Sequence, residues 1–183
     1  AFFHAYKFTH FAAENATRKV HPETFSTGEK IKALFLGVNN PRPQNDTVPA
    51  QEYETITLKS NKTIECWQIQ ASNPRGTVIL LHGYGGNKSS MLDKSDEFLA
   101  MGFNTLLVDF MGSGGSEGNQ TTIGFKEAQE VKTCFDYLEK QHEKHIYLFG
   151  TSMGAAAILK AINDYKLNPA AVIIECPFGS LYQ

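Results

Sequence analysis

The chain is defined first by what it lacks. Its 183 residues carry 17 Lys and Arg against 19 Asp and Glu, a formal charge of −2. There is no basic excess of the kind that draws a protein to nucleic acid, and there is no acidic tail. Three cysteines, Cys66, Cys134 and Cys176, are odd in number and far apart in the chain. They match neither a metal-ligand spacing nor a disulfide framework, so they read as buried thiols of a reducing compartment. No run approaches the roughly 18 apolar residues that a membrane span requires. A Rossmann fingerprint, a P-loop and a metal-ligand cluster are all missing, so neither cofactor nor metal is expected. There are no repeats and no low-complexity tract. Finally, no histidine follows His145.

What remains is ordinary for one globular domain: 42% hydrophobic and 20% charged residues, in a chain long enough to build a core. Residues 1–49 differ from the rest. The chain opens with the aromatic-rich stretch Ala1–Phe8. That stretch reads either as the tail of a trimmed signal or anchor segment or as an amphipathic arm packed on the domain. The first reading implies membrane association through the arm, and the compartment stays open between cytoplasmic and membrane-anchored. Ser26-Thr27-Gly28-Glu29 is a capping-box pattern before Ile31, Leu34 and Phe35, which predicts a short helix. Asn39–Asp46, with Pro41 and Pro43, reads as an extended linker. Residues 1–49 are therefore expected to form an arm and residues 50–183 the domain.

Within 50–183, Tyr53–Leu58 and Thr63–Gln70 flank Ser60-Asn61-Lys62 as a β-hairpin. Short apolar strands then alternate with helix-length segments. Strands are expected at Thr77–Leu81, Phe103–Asp109, His145–Phe149 and Ala170–Glu175. Helices are expected at Ser90–Met101, Thr122–Gln141 and Ser152–Asp164. This alternation predicts an α/β fold, a mostly parallel sheet with helices on both faces.

Three motifs carry chemistry. Gly150-Thr151-Ser152-Met153-Gly154 fits G-x-S-x-G between an apolar strand and an Ala-rich helix. In that context the serine sits on a sharp strand-to-helix turn, and the two glycines remove side chains that would clash there. The helix N-terminus then faces the reacting oxyanion. His82-Gly83-Tyr84-Gly85-Gly86 follows the strand Thr77–Leu81 and can turn backbone N–H groups inward, as an oxyanion hole needs. The expected donors are the backbone N–H groups of Met153 and Tyr84. Asp109-Phe110-Met111-Gly112-Ser113-Gly114-Gly115-Ser116 is the third motif.

In this order and spacing, the three motifs over about residues 52–183 resemble the α/β-hydrolase superfamily, in its esterase and peptidase-like branch. The resemblance implies that Ser152 is a nucleophile and that His82 and Gly83 support the oxyanion loop. It also implies that the Asp109 loop shapes the site without being catalytic. One departure stands out: the family's arginine two residues after the aspartate is Met111 here, so Asp109 lacks its expected local partner. The family order is serine, then acid, then histidine, and only Pro177–Gln183 follow the strand ending at Glu175. The fold is therefore expected to be truncated after that strand, with acid and histidine beyond Gln183. Glu175, at the correct sheet edge, is an alternative acid. His142 and His145 are separated from Ser152 by a whole strand, on the order of 16 Å, and His4, His10 and His21 belong to the arm. The expected activity is hydrolysis of an ester, thioester or amide of a small-molecule or acyl substrate through an acyl-enzyme. The alternatives are a non-catalytic ligand-binding pseudo-hydrolase and a membrane-tethered scaffold. The oligomeric state is not legible.

Overall fold

The computed structural model describes residues 2–12 and 25–178. Two helices, α1 (Phe2–Thr9) and α2 (Thr27–Leu36), precede the sheet. Six strands follow: β1 (Tyr53–Lys59), β2 (Thr63–Ile69), β3 (Thr77–Leu81), β4 (Asn104–Val108), β5 (Ile146–Thr151) and β6 (Ala171–Glu175). Helices α3 (Leu92–Ala100), α4 (Glu127–Lys140) and α5 (Met153–Tyr165) lie between them. The strand order is β1-β2-β4-β3-β5-β6. Strands β4, β3, β5 and β6 are mutually parallel, and the hairpin β1–β2 joins the β4 side in antiparallel register.

The order follows from burial. Strands β3 (TVILL) and β4 (NTLLV) have every residue buried, as central strands covered on both faces must. Alternate β3 residues serve two cores. Ile79 and Leu81 pack with α4 and α5 residues such as Val131, Leu138 and Ile158. Val78 and Leu80 pack with Phe98 of α3, Trp67 and Phe149. The period-two side-chain alternation thus places helices on both faces of one sheet. Strand β6 is the edge among the described residues, and there Val172 and Ile173 stay exposed, while Ile174 packs partly against the core.

Two helix boundaries differ from the sequence reading. A single 3-10 turn, Lys88–Met91, precedes α3. Helix α4 begins at Glu127 instead of Thr122, because Ile123 and Gly124 sit at φ +55° and +94° and cannot continue a right-handed helix. The Glu127 carboxylate collects the N–H groups of Thr122 and Gly124 and the hydroxyls of Thr121 and Thr122. It organises the turn that the sequence pattern read as helix.

The arm also differs. Ser26 caps α2 with a full capping box to Glu29. A second helix, α1, lies ahead of it, and Lys7 and His4 bond to carbonyls at the end of α2. Neither helix contributes a buried residue. Cys66 and Cys134, distant in sequence, meet in the core with sulfurs 4.0 Å apart as free thiols. Their mutual hydrogen bond and burial push the Cys134 thiol well above its usual value. Cys176, expected to be buried, is exposed, because it follows the edge strand β6.

Glu130 shares the buried face of α4 with Val131 and Cys134. Burial raises its carboxyl to about 8, the N–H of Met111 pulls it back, and neighbouring Glu127 adds to the rise. The fold therefore holds Glu130 protonated near neutral pH. A carboxyl raised in the folded state stabilises fully below its unfolded value, and that contribution is lost as pH rises towards 8. Wild-type stability should fall between pH 5 and 8 with a slope of up to about 1.4 kcal/mol per pH unit. Glu130→Gln should flatten that slope and be the more stable protein at pH 8, as read by urea denaturation at both pH values.

Candidate active site

Strand β5 ends at Thr151, α5 begins at Met153, and Ser152 joins them at φ 51°, ψ −107°. That backbone conformation is rare for any residue with a side chain and costs on the order of 1–3 kcal/mol. It persists because the surroundings dictate it. The Ser152 N–H donates to the Glu175 carbonyl at 2.8 Å, and the Ser152 carbonyl accepts from Ala156 N–H at 3.0 Å. The flanking glycines permit the packing. A Cβ on Gly154 would stand 2.3 Å from the Leu81 carbonyl oxygen, and one on Gly150 would stand 2.7 Å from the backbone of Gly154. The turn therefore presses against the end of β3 at Gly154 and against α5 at Gly150, so tightly that only glycine fits at either position. As the first residue of α5, Met153 has a backbone N–H with no acceptor inside the helix.

The loop after β3 lies against this turn. A Cβ added to Gly83 would be 3.6 Å from the Ser152 Cβ, so the Gly83 backbone borders the serine. His82 is fully buried. One ring nitrogen, Nδ1, pairs with the Gly83 carbonyl at 2.8 Å, and the other, Nε2, accepts from Phe110 N–H at 3.2 Å. These partners assign the proton to Nδ1. Burial pushes the pKa of the ring below its usual value and so keeps it neutral. With both nitrogens engaged, His82 ties the loop after β3 to the loop after β4 and has no free position for proton transfer to serine.

The loop after β4 holds the largest gap in the sequence reading. Asp109 does not lack partners. Its buried carboxylate accepts from Lys88 N–H at 2.6 Å, Lys88 Nζ at 2.5 Å, Asn45 Nδ2 at 2.9 Å and Gly115 N–H at 2.8 Å. Burial pushes its pKa up, but the Lys88 charge and these donors outweigh it and hold the carboxyl below its usual value. Lys88 is itself fully buried, bridges to Glu65 at 2.7 Å and lies 4.3 Å from the centre of the Trp67 ring. The work of the absent arginine is divided. Lys88 supplies the charge to Asp109, while Arg42 of the arm reaches the carbonyls of Gly114, Ser116 and Gly118. Residues 39–46, read from the sequence as a linker, are thus a brace. The Pro43 carbonyl accepts from Gly114 N–H, and the Gln44 carbonyl accepts from Asn87. Little in the sequence marked Lys88 or Arg42, since a single basic residue carries no periodic signal.

Glu175 reaches the sheet edge that carries Ser152. Its carbonyl binds Ser152 N–H, and its carboxylate accepts from the Thr151 hydroxyl at 3.2 Å, with Lys94 Nζ at 3.8 Å. His142 and His145 lie at the opposite edge, where the His145 carbonyl accepts from Thr77 N–H at the start of β3. The arm packs on the domain, the second of the two readings of Ala1–Phe8, with Phe8 stacked on Tyr84 of the loop beside Ser152. His10 bridges to Gln120 there and directs Nδ1 to the Tyr6 carbonyl, while His4 bonds the Leu34 carbonyl. His21 lies outside the described residues. A polar cleft lined in part by Gln68, Thr77, Asn104 and Glu143 opens at the far edge, away from Ser152. Among the described residues no group of His, Cys, Asp or Glu side chains is placed to hold a metal.

Such a sheet, with a strained serine between two glycines at the strand-to-helix turn, defines an α/β-hydrolase. The match to the family model Hydrolase_4, serine aminopeptidase S33, spans residues 72–182, and the chain belongs to that family. It is 29% identical over 119 residues to the uncharacterized protein YqkD of Bacillus subtilis, covering 63% of this chain and 39% of that protein. It is 26% identical over 141 residues to the uncharacterized membrane protein YNL320W of Saccharomyces cerevisiae, covering 76% of this chain and 49% of that protein. Among solved structures, the Pyrococcus furiosus esterase Pf2001 superposes with a TM-score of 0.66 at 27% identity, covering 75% of this chain and 57% of the esterase. A lidless serine hydrolase from Xanthomonas campestris, XC6422, shares the fold at 18% identity with a TM-score of 0.63. The chain spans about half the length, or less, of the curated relatives it matches.

Removing one partner of a buried ion pair leaves the other charged and desolvated, at a cost of about 3–5 kcal/mol. Lys88→Met should therefore lose stability of that order in thermal or urea denaturation. Lys88→Met combined with Asp109→Asn should recover part of the loss, because the fully buried carboxylate is gone and only the partly exposed Glu65 loses its cation.

Proposed function

We propose that this chain carries the nucleophile half of a serine hydrolase that cleaves an ester, thioester or amide through an acyl-enzyme. The observation that carries the reading is the strained Ser152, wedged between Gly150 and Gly154 with the Gly83 backbone alongside. Backbone strain of this kind at a non-glycine residue concentrates at functional sites. In the proposed reaction the Ser152 hydroxyl oxygen bonds to the substrate carbonyl carbon, and the carbonyl electrons move onto oxygen. The Met153 and Tyr84 N–H groups hold that oxyanion. Its collapse expels the alcohol, thiol or amine, which takes up the proton given by serine. Water then repeats the sequence on the acyl-enzyme and releases the carboxylic acid.

Serine needs a base within hydrogen-bond reach. His82 is fully engaged, and His142 and His145 are at the wrong edge. The reading therefore assigns the histidine, and the carboxylate that orients it, to the part of the protein that the longer relatives possess and this chain does not span. Glu175 is the alternative carboxylate, already anchored to Thr151 beside the serine. The similarity to the Pyrococcus esterase favours ester chemistry.

The test is covalent labelling of the full-length natural protein with a fluorophosphonate probe. Labelling at Ser152 that disappears in Ser152→Ala is the expected outcome. A folded full-length protein that never labels would instead favour a non-catalytic ligand-binding module.

A second reading concerns the arm. Helices α1 and α2 expose Phe2, Phe3, Tyr6, Ile31, Leu34 and Phe35, and the word membrane stands in the name of the yeast relative. No helix among the described residues is long and apolar enough to span a bilayer, so the proposed contact is interfacial, with aromatic side chains at the headgroup level. Flotation of the full-length protein with phosphatidylserine-containing vesicles is the expected result. Replacing Phe2, Phe3, Leu34 and Phe35 by serine should abolish it without abolishing labelling at Ser152.

A further inference from the structure

The arm makes one contact that bears directly on the reacting edge. The Tyr84 hydroxyl donates to the Phe8 carbonyl at 2.7 Å. Its ring stacks on Phe8 with centroids 4.4 Å apart, and Phe11, 5% exposed, packs 6.0 Å from the same ring. Backbone bonds fasten the arm on either side of this contact. Phe11 N–H donates to the Asn119 carbonyl at 2.6 Å, and Thr121 N–H donates to the Thr9 carbonyl at 2.9 Å. The Thr121 hydroxyl, which donates to Glu127, lies 3.2 Å from the Met153 sulfur. The arm is therefore continuous with both sides of the nucleophile turn.

The loop needs such a restraint. Tyr84 is flanked by Gly83, Gly85 and Gly86, and Gly85 sits at φ +71°. Glycines let the backbone approach Ser152, but they also leave it free to leave that geometry. An oxyanion donor acts only if it is already aimed when charge develops. Helix α1 buries no residue of its own, and Phe11, the buried residue that follows it, packs on the Tyr84 ring, so the arm is held at this edge by its contact with the loop.

We propose that the N-terminal arm positions the oxyanion hole, with the Tyr84 side chain clamped on Phe8 so that the Tyr84 backbone N–H stays directed at the reacting carbonyl. This rests on the serine-hydrolase reading above. In this proposal Phe8 and the Tyr84 side chain are positioning groups that act through the Tyr84 backbone.

The test is made in the full-length protein with a p-nitrophenyl ester and the fluorophosphonate probe. Tyr84→Phe keeps the ring stack and removes the hydroxyl; Phe8→Ala removes the stack and keeps the carbonyl. Each should lower kcat and the maximal labelling rate by roughly 10-fold, part of the loss seen when an oxyanion donor is removed. KM should be little changed and the Tm should stay within a few degrees. Phe8→Tyr, which keeps both ring and carbonyl, should restore the wild-type rate. Unchanged kcat in Tyr84→Phe and Phe8→Ala, with wild-type protein labelled at Ser152, would overturn the clamp and leave the hydrolase reading standing. A loss of rate that merely tracks a loss of folded protein would overturn it too. Wild-type protein that never labels would overturn the hydrolase reading and the clamp with it.

Discussion

The buried carboxylate of Asp109 is the point on which the loops beside Ser152 depend. A charge removed from water is tolerated only when paired and fully hydrogen-bonded. Asp109 meets that demand by drawing in three separate segments of chain: Lys88 from the loop after β3, Asn45 from the arm and Gly115 from its own loop. Each partner brings its backbone along. Lys88 closes the loop that begins at His82 and Gly83, so the same ion pair that satisfies Asp109 also fixes the far end of the loop beside Ser152. The fold converts the cost of one buried charge into the placement of two loops.

The turn at Ser152 is held by a complementary constraint, of shape instead of charge. The elbow packs against the Leu81 carbonyl at a distance that excludes any Cβ at residue 154, and against α5 at a distance that excludes one at residue 150. The strain at Ser152 is sustained by its bond to the Glu175 carbonyl across β5 and β6. Strand pairing at the sheet edge and glycine at two positions thus jointly present one hydroxyl. His82 completes the arrangement as a neutral, doubly bonded ring linking the two loops, a structural use of a residue type more often associated with proton transfer.

How much of this was legible in the sequence depends on the range of the interaction. The central strands, the hairpin, the capped helix at Ser26 and the G-x-S-x-G turn all follow from residues within a few positions of one another, and all were readable. The start of α4 was misread because Thr122–Lys126 matches helical spacing, while the decisive event is the Glu127 side chain gathering N–H groups of the preceding turn. The segment Asn39–Asp46 was read as a linker on the strength of its prolines. It is extended, but it braces both loops through Arg42, Pro43, Gln44 and Asn45, contacts that join residues some 40 to 75 positions apart. The absence of an arginine at Met111 was visible, but its replacement by Lys88 and Arg42 was not, because a lone cation leaves no pattern to read.

The sequence by itself determined that there would be a parallel sheet with helices on both faces and a serine on a glycine-flanked turn between strand and helix. Period-two and helical spacing, with glycine at two fixed offsets, are local properties of the chain. Only the tertiary structure decided that Asp109 would be neutralised by Lys88, that the arm would lie across the loop after β3 with Phe8 on Tyr84, and that Cys66 would meet Cys134 in the core. Those outcomes depend on which distant segments must come together to satisfy buried charge and cover apolar surface. That selection is made by packing in three dimensions, where separation along the chain no longer matters.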